Sequence, residues 1–326
     1  MKALLCKAFG PPDSLVVEDA PAVRAPGKGE VKVAVHAAGL NFADTLMISG
    51  KYQEKPPLPF SPGMECAGVI SEVGEGVTGL ARGDRVMAMT GYGGMAEEVI
   101  APAGSVFRIP ASMTFEQAAG FPVIYGTVYY ALVDRGHLAK GETLLVHGAA
   151  GGVGTIAVEM GKVLGATVIA TAGSDAKLEL ARILGADHAV NYTTQSVKDV
   201  VKELAPGGAD VVFDPVGGDV FDQTLRCIAP DARILIIGFA SGRIPAIPAN
   251  ILLVKNCAVI GVYWGGFTKR DPQRNRRNFE TMMRWMEEGT LRPPAVTSYA
   301  LDHGAQAMND LIERRSTGKL VVKTRG

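Results

Sequence analysis

The chain has 326 residues, more than one small core holds and about right for two domains. Hydrophobic residues make up 47% and charged residues 20%, a balance that excludes a disordered chain. Thirty-three basic residues against thirty-three acidic ones leave zero net charge, so overall electrostatics argue for neither nucleic acid nor an anionic membrane as partner.

Four cysteines (Cys6, Cys66, Cys227, Cys257) lie singly with no CxxC pair, and they read as reduced, buried side chains. No stretch approaches the ~20 uninterrupted apolar residues of a membrane helix. Met1 to Phe9 holds a short strand-like run rather than a secretory signal, so a cytoplasmic protein is expected.

In chain order, the first third is rich in glycine and proline around short β-type runs. Val31 to Ala37 alternates as a strand does; Glu65 to Val73 and Arg85 to Met89 follow, split by Gly74, Gly76, Gly79 and Gly83. This predicts a compact β-rich domain. From Phe115 the texture changes: a helix over Phe115 to Asp134, a strand Thr143 to His147, a helix Val153 to Leu164, a strand Thr167 to Thr171 and a helix Asp175 to Leu184. A brief strand at Ala189 to Val190 comes next, then a helix Val197 to Leu204, a strand Val211 to Phe213, a helix Phe221 to Cys227 and a strand Arg233 to Ile237. Such alternation predicts a parallel sheet covered on both faces. Asn256 to Trp264 reads as the sheet's final strand. Helices over Arg277 to Glu288 and Gly304 to Arg315 and a strand Leu320 to Lys323 close the chain.

The sharpest signal lies at residues 143 to 177. The strand Leu144 to Val146 runs into Ala149-Ala150-Gly151-Gly152-Val153-Gly154, the dinucleotide fingerprint with alanine in the first glycine slot. Gly151 admits a pyrophosphate close to the backbone and Gly154 lets the helix pack on its strand, while the helix aims its free N–H groups at the phosphates. An NAD-binding chain places Asp or Glu ~20 residues further on, at the end of the next strand. Here Ala172, Gly173 and Ser174 stand there, followed by Lys177. Room at Gly173, a hydrogen bond from Ser174 and the charge of Lys177 suit a 2′-phosphate and point to NADPH. Asp175 opposes this unless, as a helix N-cap, it points away.

In combination and order, Asn41-Phe42-Ala43-Asp44, Pro62-Gly63-Met64-Glu65-Cys66-Ala67-Gly68, Gly83-Asp84-Arg85-Val86, Gly126-Thr127-Val128-Tyr129-Tyr130 and the fingerprint are specific. Over its whole length the chain resembles the medium-chain dehydrogenase/reductase superfamily, in its zinc-free quinone oxidoreductase (ζ-crystallin-like) branch. The resemblance implies an α/β fold: a GroES-like catalytic domain at 1–122, completed by 268–326, around a doubly wound Rossmann NADPH-binding domain at 123–267. The superfamily's alcohol dehydrogenases hold a catalytic zinc through Cys, the His of Gly-His-Glu, and a later Cys. Here those first slots carry Asn41 and Met64, and an amide with a thioether does not make a zinc site. The expectation is a metal-free enzyme that passes hydride to a quinone or a conjugated carbonyl.

By resemblance Tyr52 is the proton donor or carbonyl-polarising group, the alternative being a residue that only stacks on substrate. Asn41 is expected at the nicotinamide ribose and Thr127 at the nicotinamide. Tyr192 is expected near the adenine, Val216, Gly217, Phe239 and Ala240 at strand ends around the cofactor, Tyr263 and Trp264 beside the nicotinamide, and Lys319 at the 2′-phosphate. Leu46 stands where some quinone reductases of the branch have tyrosine, which favours a general enone or enoyl substrate. The basic run Lys269, Arg270, Arg274, Arg276, Arg277 is a solvated helix entry or a seat for coenzyme A phosphates. His147 is expected to be a strand-end residue.

Alternatives are an enoyl- or acryloyl-CoA reductase on the same site and, from another class, an NADPH-binding structural or RNA-binding crystallin-like protein. Zero net charge argues against the last. Asn256 to Trp264 carries no charge and is expected at the sheet's edge, pairing with a second copy in a homodimer.

Overall fold

A computed structural model describes residues 1–325. Two compact units divide the chain: Met1–Val123 with the segment from Pro293 onward, and Ile124–Arg292. The outward leg of the first unit carries β1 (Lys2–Leu5), β2 (Val16–Asp19), β3 (Glu30–Leu40), α1 (Phe42–Ile48), β4 (Glu65–Val73), β5 (Arg85–Met89), β6 (Glu98–Pro102), β7 (Val106–Arg108) and α2 (Phe115–Ala119). The second unit takes in most of α3 (Pro122–Tyr129), then β8 (Thr143–Val146), α4 (Gly152–Val163), β9 (Thr167–Ala172), α5 (Asp175–Ile183), β10 (His188–Asn191) and α6 (Val197–Leu204). It continues with β11 (Ala209–Asp214), α7 (Gly218–Thr224), β12 (Ile228–Ile236), α8 (Ala249–Lys255), β13 (Ala258–Gly261), α9 (Trp264–Arg270) and α10 (Pro272–Glu287). The return leg is β14 (Val296–Ala300), α11 (Gly304–Ile312) and β15 (Lys319–Lys323).

The main sheet of the first unit has the order β14-β15-β3-β4-β5-β7, with β6 also pairing with β3. Val31, Val33 and Val35 alternate into its core, as the sequence pattern requires. β15 lies antiparallel to β3, Leu320 opposite Leu40, so a strand of the return leg completes the sheet begun by β3. The predicted strands Glu65–Val73 and Arg85–Met89 form with those bounds, and Val31 to Ala37 extends to Leu40.

The expected helix from Phe115 to Asp134 is three pieces. Gly120 caps α2, α3 starts at Pro122, whose missing N–H suits a first turn, and Tyr130–Arg135 continues as a π-helical turn.

In the second unit the sheet is parallel throughout, ordered β10-β9-β8-β11-β12-β13. Leu144–Val146 and Val211–Phe213 have no exposed surface, as expected of strands covered on both faces. The chain works outward from β8 to β10, then returns to β11 and works outward the other way. The carboxyl ends of β8 and β11 therefore form the switch point at which such sheets bind ligands.

Two of the boundaries that differ from expectation bear on the site. The final strand narrows from Asn256–Trp264 to Ala258–Gly261, because Asn256 caps α8 in the left-handed conformation and Trp264 opens α9. The second unit also runs past residue 267 to Arg292. The reason is packing: Phe279 of α10 is fully buried against Trp264, and Arg274 and Asn278 both donate to Asp134, at 2.6 and 2.8 Å. At the unit's last residue, the Tyr125 hydroxyl donates to the Arg292 carbonyl and the Arg292 N–H to Glu159 Oε1. Among the described residues no helix is long and apolar enough to cross a membrane.

Candidate nucleotide site and the buried cluster of the first unit

The turn between β8 and α4 is built from small residues for geometric reasons. Gly148 has φ +60° and lies beneath Val216, while a side chain on Gly154 would collide with the Gly148 carbonyl. Gly151 is exposed and meets nothing nearer than ordinary contact, leaving its backbone open to a close ligand. Gly152 and Val153 begin α4, whose first-turn N–H groups have no acceptor within the helix. Ala149 and Ala150 are buried, so Ala150 has only its backbone to offer. These residues fit the pyrophosphate of a dinucleotide.

Next along the edge comes the tip of β9. Gly173 lies against the Tyr192 ring, whose hydroxyl would meet a side chain there at 2.9 Å. The residue capping α5 is Ser174 rather than Asp175: its hydroxyl accepts from the Lys177 N–H, and among the described residues none accepts its own proton. Asp175 instead accepts from Asn191 Nδ2 at 2.9 Å, which ties its carboxylate to the end of β10. Lys177 is half-buried on the first turn of α5. A small residue, a hydroxyl and an ammonium thus follow one another where an acid would bar a 2′-phosphate.

Asp214 shapes the end of β11. Its Oδ1 accepts from the Val216 and Gly217 N–H groups at 2.7 and 2.9 Å, while Oδ2, buried, finds no partner among the described residues. Phe239 packs on Gly217, and the Ala240 N–H donates to the Pro215 carbonyl, folding the end of β12 onto this turn. Tyr263 follows β13 and is 46% exposed. The ends of all six strands thus carry Ala150–Val153, Gly173–Lys177, Tyr192, Val216, Gly217, Phe239, Ala240 and Tyr263 along one edge of the sheet. Thr127 lies half-buried on α3.

Trp264 departs from expectation. It is buried, its indole N–H donates to Asn275 Oδ1 at 3.2 Å, and its ring covers Gly126 so closely that no side chain fits there. It fills the interior of the second unit and offers no face to a nicotinamide.

The first unit holds a charged cluster in its core. Lys319, 3% exposed, donates from Nζ to Asn41 Oδ1 and to Glu65 Oε1, both at 2.6 Å. Asn41 Nδ2 donates to the same Glu65 oxygen at 2.8 Å, and Glu65 Oε2 accepts from the Val123 N–H at 2.7 Å. Asp44 accepts from the N–H groups of Asn41 and Gly63. Burial pushes its carboxyl up to about 6 against the pull of those two hydrogen bonds.

One expectation falls here. Lys319 is buried with its charge spent on Glu65 and does not reach for a 2′-phosphate. Asn41 commits its amide oxygen to Lys319 and one amide proton to Glu65, and its second amide proton is not used in the cluster. The cluster does not fit a zinc ion either: the slots carry an amide and a thioether, and an ammonium already neutralises the adjacent carboxylate.

Tyr52 lies in the loop after α1, where the N–H groups of Lys51 and Tyr52 both donate to the Leu46 carbonyl. Its half-buried ring packs on the core of the first unit. In the basic run, Arg274 is paired with Asp134, and Arg270 and Arg277 are exposed.

Sequence reasoning missed Asp214 and the partners of Glu65. The first had a signal: an acid at a strand end followed two and three residues later by Val-Gly marks a side chain holding its own turn. The second had none, because its partners are remote in sequence.

The family described as alcohol dehydrogenase GroES-like domain matches residues 27–111, and that described as zinc-binding dehydrogenase matches residues 152–288. A quinone oxidoreductase-like protein 2 homolog of Nematostella vectensis is 45% identical, covering 99% of this chain and 89% of its own. A quinone oxidoreductase of Pseudomonas syringae superposes with a TM-score of 0.92 at 33% identity, over 99% of both chains. The Escherichia coli quinone oxidoreductase, solved in complex with NADPH, gives 0.90 at 30% identity, over 99% of this chain and all of that one. With this fold, this phosphate turn and these relatives, the chain belongs to the medium-chain dehydrogenase/reductase superfamily, among its quinone oxidoreductases.

Proposed function

We propose that this protein is an NADPH-dependent reductase of quinones and conjugated carbonyl compounds that works without a metal. The observation that carries the reading is the tip of β9, where Gly173, Ser174 and Lys177 replace the acid that would exclude a 2′-phosphate; the NADPH held by the Escherichia coli relative agrees with it. NADPH, when bound, supplies the hydride. The turn Ala150–Val153 binds the pyrophosphate through backbone N–H groups and the dipole of α4. Ser174 and Lys177 hold the 2′-phosphate, and Tyr192 lies beside them for the adenine. Val216, Gly217, Phe239, Ala240 and Tyr263 line the rest of the edge, with Thr127 toward the nicotinamide. In the first unit the Tyr52 hydroxyl donates a proton to the substrate oxygen as negative charge develops there.

The chain assembles as a homodimer through β13. This strand stands at the edge of its sheet with no charged residue, and α8 before it exposes Leu253 (78%) and Val254 (81%). NADPH oxidation followed across quinones, enones and enoyl-CoA esters tests the activity. Turnover of the first two classes supports the reading; turnover confined to enoyl-CoA esters replaces it with an enoyl-thioester reductase. No turnover of any class refutes it.

A further inference from the structure

We propose that His147 is a positioning residue for the nucleotide, holding the phosphate turn and the tip of β9 in one register through a single tautomer of its ring. His147 is the last residue before Gly148, has no exposed surface, and is anchored by its N–H on the Phe213 carbonyl at 3.0 Å. Its Nε2 lies 2.7 Å from Thr224 Oγ1. That hydroxyl spends its one proton on the Val220 carbonyl, so toward the ring it accepts, and Nε2 carries the hydrogen. With burial keeping the ring uncharged, Nδ1 is bare and accepts from Thr171 Oγ1 at 2.9 Å.

One partner stands at the nucleotide edge and the other on the helix that leaves it. Thr171 is fully buried, and its carbonyl accepts the Ala149 N–H at 3.0 Å, so one residue holds the phosphate turn through its backbone and the ring through its hydroxyl. It stands two residues before Gly173 and three before Ser174. Thr224 lies on α7, whose entry carries Val216 against Gly148. The imidazole therefore ties the ends of β8 and β9 to α7 beneath the turn, out of reach of any ligand. Its effect on specificity rests on the reading of Ser174 and Lys177 as the 2′-phosphate seat.

Two variants separate its bonds. His147→Asn keeps an acceptor near the Nδ1 position for Thr171, and His147→Gln keeps a donor near the Nε2 position for Thr224. Both are expected to raise the KM for NADPH while kcat at saturating NADPH changes little. His147→Gln should lower the ratio of kcat/KM for NADPH over NADH about tenfold, while His147→Asn holds it within about threefold. Thr171→Val, which keeps the branched shape without the hydroxyl, should reproduce the loss seen in His147→Gln even if the histidine variants fold poorly. A ratio unchanged in Thr171→Val, or lowered equally in both histidine variants, overturns the proposal. A wild-type enzyme with no preference for NADPH overturns the reading of the β9 tip instead; the shared rise in KM then decides the role of His147.

Discussion

Removing the Lys319 ammonium leaves the Glu65 carboxylate buried without a counter-charge, and a broken buried pair costs about 3–5 kcal/mol. Lys319→Met is therefore expected to lower urea stability by about that amount, and the double variant with Glu65→Gln to recover part of it. A single variant as stable as wild type would show that the pair contributes nothing. Asp44 makes a prediction in pH. Its folded value of about 6 stands above the ordinary 3.8, so the fold favours the neutral form. The resulting stability is fully present below the ordinary value and is lost as pH rises through about 6. Wild type should thus gain on Asp44→Asn between pH 7 and pH 4, by up to about 3 kcal/mol in chemical denaturation; a gap that does not change with pH rejects this. At Tyr52 the expectation is kinetic. Tyr52→Phe should lower kcat about a hundredfold with NADPH affinity unchanged, because the hydroxyl acts only as charge develops. Wild-type turnover in the Phe variant would leave Tyr52 a packing residue. The motif residues Asn41, Asp44 and Glu65 were visible in the sequence, but their partner was not. Lys319 stands 278 positions from Asn41 and 254 from Glu65, a separation at which no spacing rule operates.

At the scale of elements, the β8–turn–α4 unit was the most legible, because each step of it is local. Strand, turn and helix lie in consecutive residues; Gly148 is required by its φ of +60° and Gly154 by a clash with the Gly148 carbonyl in the same turn. The tip of β9 carries the next prediction. Lys177→Ala should weaken NADPH binding about tenfold in a fluorescence titration and leave NADH unchanged, since only the former carries the 2′-phosphate. Equal weakening of both would move Lys177 from the phosphate to the helix. Elsewhere the local rules were overridden. Phe115 to Asp134 reads as one helix in the sequence, yet Gly120 and Pro122 divide it and a π-helical turn ends it. Asp175 looked like a cap from its position, but Ser174 takes that role while Asn191, sixteen residues on, claims the carboxylate.

For the whole molecule, the dimer is the remaining prediction. Light scattering at micromolar concentrations should give twice the 34.2 kDa chain mass, and Val259→Lys, placing a charge on the edge strand, should return it to one chain. A wild-type mass of one chain rejects the dimer, and a variant that stays dimeric rejects this edge as its interface. The sequence by itself determined the class of fold, the strand-and-helix alternation of the second unit, the nucleotide turn and the absence of an acid at Gly173. All of these are short-range consequences of periodicity and backbone geometry. Only the tertiary structure decided which polar residues are available to a ligand. Trp264 and Lys319 occur where the family places site residues, yet packing on Gly126 and pairing with Glu65 turn both inward. The sequence gives a side chain's chemistry, but its burial and its partners arise from segments that only the folded chain brings together.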